Sequence, residues 1–256
     1  MPASVTALST TAVKGMQLRQ VERVKLDELG ARGDRSFCVI DERCRMVNGK
    51  QVGELQAVVA DHDPGTGDLS LSFPDGARVD GSIEYAANVR FRFFSREIEG
   101  RELRGPWSAA LSEFVGRPLR LVAPKIAVDR GPEGATSLIS RASLRRLAEV
   151  AERDSVDARR FRMLIEIDGV AAHEEDRWVG RHVRVGEALL APHGHVGRCL
   201  VTSRDPESGE VDLPTLDLLR SYRNHVVSTE PLPFGIYGQV LEPGVVRIGD
   251  AIELDG

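Results

Sequence analysis

Cysteine is scarce in this 256-residue chain: only Cys38, Cys44 and Cys199, an odd set at wide spacing. Such a set excludes a disulfide-stapled secreted scaffold and points to a reducing, cytoplasmic setting. No apolar run reaches the ~18 residues of a membrane span, and Met1-Pro2-Ala3-Ser4 has neither region of a signal peptide. No membrane association is expected. Positive charge is not in excess either: a net charge of −5 excludes a general nucleic-acid or anionic-membrane binder. Lysine is rare, since of 34 basic residues only Lys14, Lys25, Lys50 and Lys125 are not arginine. A GC-rich genome explains most of that bias, yet arginine is also the side chain for forked recognition of oxyanions. The chain lacks a P-loop, a dinucleotide fingerprint and a Gly-x-Ser-x-Gly elbow, which sets NTPase, hydride-transfer and serine-hydrolase chemistry far behind.

What is present is an ordinary globular composition, 41% hydrophobic and 29% charged, which argues against wholesale disorder. The length fits one large domain or two modest ones. Short apolar stretches fill the first hundred residues: Val21, Val24 and Leu26; Phe37 and Val39; Val58-Val59-Ala60; Leu69, Leu71 and Phe73; Val89, Phe91 and Phe93. Asp63-Pro64-Gly65, Pro74-Asp75-Gly76 and Gly100-Arg101 punctuate them, as in a small barrel or sandwich. Trp107, Leu111 and Phe114 then recur at helical spacing, with Gly116 and Pro118 as the stop. Leu144, Leu147, Ala148 and Ala151 predict a second helix, and Leu216, Leu219 and Tyr222 a third, starting near Pro214. Strands return at Ile165 and Ile167, Val183 and Val185, and Val246 to Leu254. Val183-Arg-Val-Gly-Glu and Val246-Arg-Ile-Gly-Asp share one pattern, a strand reaching a Gly-acid turn. The expected class is α+β and β-dominated, divided into residues 1–105 and 106–256, with a soft boundary near 105–125.

The cysteines differ in setting. Cys38 lies inside Phe37-Cys38-Val39-Ile40 and predicts a small buried hydrophobe, while Cys44 sits in a charged turn and is incidental. Cys199 follows Gly197-Arg198, and a neighbouring cation on flexible backbone suits the thiolate that attacks electrophiles or binds soft metals. A plain structural cysteine fits that local setting equally well. His193, His195 and Cys199 could form half a zinc site, but no further ligand motif accompanies them. Glu174-Glu175-Asp176 could supply a base, although a solvated acidic loop is the simpler expectation.

Several motifs occur together in order around Cys199. They are Ser140-Arg141-Ala142-Ser143-Leu144, Arg160-Phe161-Arg162, Glu175-Asp176-Arg177-Trp178 and Arg198-Cys199-Leu200-Val201-Thr202, followed by Asp205-Pro206-Glu207-Ser208-Gly209, Leu219-Arg220-Ser221-Tyr222-Arg223, Phe234-Gly235-Ile236-Tyr237 and Ile248-Gly249-Asp250. This order resembles the MOSC domain, named for the C-terminal domain of molybdenum-cofactor sulfurase. Val13-Lys14-Gly15, Gly33-Asp34-Arg35 and the Phe37 to Asp41 strand resemble the β-barrel domain that precedes MOSC in amidoxime-reducing proteins.

The resemblance implies an N-terminal β-barrel-like domain and a C-terminal MOSC β-barrel with flanking helices. It also implies a molybdenum-pterin cofactor (Moco) held by Lys14, Arg35, Ser137, Ser140 and Arg162, with Thr136 nearby and Cys199 as metal ligand and catalytic residue. The implied activity is reduction of small N-hydroxylated compounds. Electrons would come from a separate flavin or iron-sulfur protein, since no cluster-type cysteines follow Cys199. A sulfur carrier with a Cys199 persulfide and a non-catalytic cofactor-binding module are the alternatives. Five positions depart from the family pattern: Met163-Leu164 stands for Pro-Asn, Gly15 and Gly197 stand for serines, and Lys50 stands for an arginine.

Overall fold

The computed structural model describes residues 2–126 and 131–254. Its main sheet has eight strands in the order Ile252–Leu254, Val183–Val185, Ala188–His195, Ile236–Glu242, Thr136–Ser140, Ile165–Asp168, Ser4–Thr10, Arg19–Val21. Only Thr136–Ser140 and Ile165–Asp168 run parallel, and helix α2 (Arg141–Val150) makes the crossover between them. A five-stranded sheet orders Glu84–Phe93, Arg96–Arg104, Leu119–Pro124, Cys38–Asp41 and Met46–Val47. Two three-stranded sheets complete the fold, which is β-dominated α+β as expected.

The expectation of closed barrels is corrected. The eight-stranded ladder is open, and its last strand touches the first only through a bridge between Ser4 and Ala251. That bridge is held by Val5 N–H to Asp250 O (2.9 Å) and Ile252 N–H to Ala3 O (3.0 Å). The physical reason is length: the terminal strand spans three residues, and the left-handed turn at Gly249 (φ +91°) diverts the chain before a full ladder can form.

Strand pairing also crosses residue 105 in both directions. Ser4–Thr10 pairs with Ile165–Asp168, Leu119–Pro124 with Cys38–Asp41, and Gly244–Arg247 with Arg23–Asp27. The two Gly-acid turns pack on each other, with Gly186 against Asp250 and Glu187 paired to Arg247 at 2.8 Å.

Helix α1 (Trp107–Val115) ends where expected, at Gly116 in the left-handed region (φ +72°), whose N–H bonds Glu113 O. Trp107 is fully buried and donates from Nε1 to Leu69 O (3.0 Å), locking α1 to the first-half core around Val39, Leu55, Leu71 and Leu121. Ser143, Leu144, Leu147 and Ala148 form the buried face of α2. They pack with Phe161, Met163, Phe234 and Leu219 of α3 (Thr215–Arg223) beside the main sheet.

Candidate functional site

Two backbone segments run side by side early in the chain. Lys14 N–H bonds Phe37 O (2.8 Å), Phe37 N–H bonds Ala12 O (3.0 Å) and Arg35 N–H bonds Thr11 O (2.6 Å). This zipper places Lys14 beside Arg35, whose φ of +48° turns its side chain toward the second half of the chain. There Arg162, also left-handed (φ +56°), caps the short helix Ala158–Phe161. Arg35 Nη2 donates to Arg162 O (2.9 Å), and Arg162 Nη2 donates to Met16 O (2.7 Å). The two arginines thus cross-link the halves around a cleft of about 350 Å³.

The cleft collects Lys14, Arg35, Ser137, Arg162 and Cys199. Cys199 is half-buried, and its carbonyl accepts from Thr202 N–H (2.9 Å) and Thr202 Oγ1 (3.0 Å), which fixes the turn below the thiol. Ser137 Oγ accepts from Leu164 N–H (3.0 Å) and keeps its own O–H to donate. The described lining residues include Lys14, Arg35, Lys50, Arg160, Arg162 and Arg198, and no aspartate or glutamate. Arg35 is ion-paired to Asp34, and Arg160 is clamped by both Asp212 oxygens at 2.6 Å, both partners standing behind the wall. In a chain of net charge −5 this is a locally cationic cleft suited to an anion.

The departures from the family pattern acquire physical reasons. Gly15 sits at φ +93°, where a serine would be strained. A Cβ at Gly197 would lie 2.6 Å from Glu230 Oε2 and 3.1 Å from Pro231 Cδ. Leu164, at the asparagine position, is buried in the main-sheet core, and Met163, at the proline position, is buried with its thioether accepting from Arg198 Nη2 (3.1 Å). Arg198, only 6% exposed, also donates to Phe161 O and Phe234 O (both 2.8 Å). Lys50 Nζ lies 5.9 Å from the Phe94 ring centroid.

Ser140 is not brought to the cleft. It caps α2, its Oγ accepting Ser143 N–H (3.1 Å) and donating to Glu175 Oε2 (2.9 Å). Glu175 is fully buried and accepts further bonds from Ser140 N–H (3.1 Å) and Ser143 Oγ (2.6 Å), so the solvated-loop expectation for this turn is corrected. Burial pushes its carboxyl above the ordinary range, and the bonds from Ser143 and Ser140 offset part of that rise. Next to it, burial and then Arg223 hold His173 down at about 4. His193 and His195 do not join Cys199 in a metal site: no such group of three ligands occurs among the described residues. Cys38 is buried as expected, and Cys44 Sγ accepts from Arg120 Nη2 (3.1 Å), so the thiol taken as incidental is a hydrogen-bond acceptor. Sequence reasoning did not assign Phe93, Phe94, Asn48, Arg160 and Tyr237 to the lining; Arg160 and Tyr237 stand inside motifs quoted above, whereas Asn48 and Phe94 carry no local signal.

The MOSC domain family matches residues 126–253, and the MOSC N-terminal beta barrel domain family matches residues 2–118. The chain belongs to the MOSC family. It is 33% identical to mitochondrial amidoxime reducing component 2 of Bos taurus over 97% of this chain and 82% of that protein. It is 28% identical to mitochondrial amidoxime-reducing component 1 of Danio rerio, over 97% and 83%. Among solved structures it is similar to the YuaD protein of Bacillus subtilis, with 13% identity, 99% and 96% coverage and a TM-score of 0.48. In this MOSC protein the cleft draws on both matched segments, Lys14, Arg35, Lys50 and Phe93 from the first and Ser137, Arg162 and Cys199 from the second. No helix among its described residues is long and apolar enough to cross a membrane.

Proposed function

We propose that this MOSC protein is a molybdenum-cofactor-dependent oxidoreductase that reduces small N-hydroxylated compounds, with electrons delivered by a separate flavin or iron-sulfur protein. One observation carries the proposal: a half-buried thiol opens into a cleft with six cationic side chains and no carboxylate among its described lining residues. The residues fit the group. A cysteine thiolate is a soft donor matched to a metal-sulfur centre, and Lys14, Arg35 and Arg162 match a phosphate-bearing pterin. Ser137 adds a hydroxyl donor beside them.

When bound, the pterin-dithiolene molybdenum centre supplies the two-electron chemistry. The chain's own residues hold the anion, orient it through the Arg35–Arg162 cross-link, and exclude water with Phe161, Met163, Val196 and Val201. Reduction of an N-hydroxyl compound to the amine and water consumes two electrons and two protons, so a partner and solvent must reach the mouth. Cys38 and Cys44 lie outside the cleft lining, which leaves the sulfur-carrier alternative without a neighbouring thiol to resolve a persulfide. A cytoplasmic setting belongs to the same proposal; the mitochondrial names are those of the relatives.

Elemental analysis after expression in a cofactor-competent host tests the assignment, wild type beside Cys199→Ser, followed by benzamidoxime turnover with a reduced viologen dye. Molybdenum and turnover are expected in wild type, with turnover lost and metal strongly depleted in Cys199→Ser. Folded wild-type protein free of molybdenum would overturn the proposal, and a persulfide confined to Cys199 in that protein would replace it with sulfur transfer.

A further inference from the structure

The hairpin Glu84–Phe93/Arg96–Arg104 closes through Phe94 and Ser95, since Phe93 pairs directly with Arg96. Two-residue hairpin loops need positive φ and accordingly favour Gly, Asn or Asp. Here the positive-φ position (φ +52°) is occupied by Phe94, a bulky residue that rarely adopts it. Phe94 is 68% exposed, so little burial offsets that strain. Backbone strain of this kind clusters at active sites and ligand clamps.

The ring lines the cleft that contains Cys199. Phe93 lies beneath it, 9% exposed, with ring centroids 4.5 Å apart and planes tilted by 46°. Lys50 Nζ and Lys14 Nζ stand 5.9 and 5.6 Å from the Phe94 and Phe93 centroids. Met163, Val196 and Val201 supply further apolar lining. One cavity thus combines an aromatic wall at its mouth with cations and a thiol, the mix of apolar lining and few polar groups typical of small-ligand sites.

We propose that the Phe93–Phe94 tip is the substrate-selecting wall, and that it takes a planar aromatic group attached to the carbon that bears the reducible nitrogen. The proposal rests on the reductase function above and assigns the class of substrate that function prefers. Phe94 acts by stacking and carries no part of the chemistry.

The test compares benzamidoxime with acetamidoxime on molybdenum-loaded wild type, Phe94→Ala and Phe94→Tyr, measuring both turnover and, by calorimetry, the dissociation constant without reductant. Wild type is expected to favour the aromatic compound in KM and in binding. Phe94→Ala should cut that preference about tenfold at equal molybdenum content, with Phe94→Tyr retaining it. An aromatic preference unchanged in Phe94→Ala would overturn the wall while leaving the reductase standing. Absent turnover of both compounds would overturn the reductase, and the binding ratio alone would then decide the wall: a ratio lost in Phe94→Ala sustains it, and an unchanged or absent one removes it.

Discussion

Replacing Arg198 by alanine tests whether the floor of the cleft is held as described. The guanidinium is 6% exposed and donates to two backbone carbonyls, Phe161 O and Phe234 O, and to Met163 Sδ. Hydrogen bonds to a charged group contribute about 1.5–3 kcal/mol each, so the two carbonyl bonds together represent about 3–6 kcal/mol. Removing a buried cation also relieves its desolvation cost, which brings the expected net loss to about 3 kcal/mol. For a chain of this size that lowers Tm by about 6–12 °C. Scanning calorimetry and urea titration read the change directly. Arg198→Lys can reach one carbonyl at a time and should recover about half. Met163→Leu, which loses only the thioether acceptor, should cost under ~1.5 kcal/mol as a near volume-conserving exchange. An Arg198→Ala protein within ~0.5 kcal/mol of wild type, the range of an ordinary surface change, would refute the reasoning.

Other outcomes follow from the same geometry. Gly197→Ser, which introduces the residue usual in the family, should destabilise the protein by about 1–3 kcal/mol through overpacking against Glu230 and Pro231; urea unfolding checks it. The His173 imidazole, held at about 4 by burial, takes its proton more readily in the unfolded chain, whose ordinary value is 6.5. Stability from His173 is therefore complete above pH 6.5 and is lost as pH falls toward 4. Urea midpoints between pH 7 and pH 4.5 should show a downward slope that His173→Gln flattens. Glu175 carries the opposite sign, its raised carboxyl withdrawing stability as pH climbs above the ordinary carboxylate range. The change in Glu175→Gln stability from pH 4 to pH 7 should accordingly be more favourable than that of wild type, read by urea midpoints at the two pH values.

The legible parts of the sequence were those decided by near neighbours. Trp107, Leu111 and Gly116 define α1 within ten residues, and the alternation at Leu69 and Leu71 defines a strand with one buried face. The strand Thr136–Ser140 carries no such alternation because it is buried on both faces, and it passes directly into α2. The family resemblance implied Lys14, Arg35, Ser137, Arg162 and Cys199 together, and all five line the cleft. Ser140 and Glu175 were misplaced because their environment is set by partners 35 residues apart, and a charged run does not announce which of its acids turns inward. The thioether contact of Met163 was hidden for the same reason: its partner Arg198 is also 35 residues away.

The first strand, Ser4–Thr10, has one neighbour close by, Arg19–Val21, and the other far along the chain, with Thr6 bonding Glu166 across 160 positions. At translation rates of about 5–20 residues per second, Val5 and Leu8 wait roughly 8–30 s for the strand that buries them. Cys199 and Tyr237 emerge later still, so the cleft cannot take up an anion while the chain is incomplete. Loading of the proposed cofactor would therefore follow translation, and a nascent chain stalled before residue 165 presents Ser4–Thr10 paired only with Arg19–Val21, its other edge open to whatever chaperone attends it.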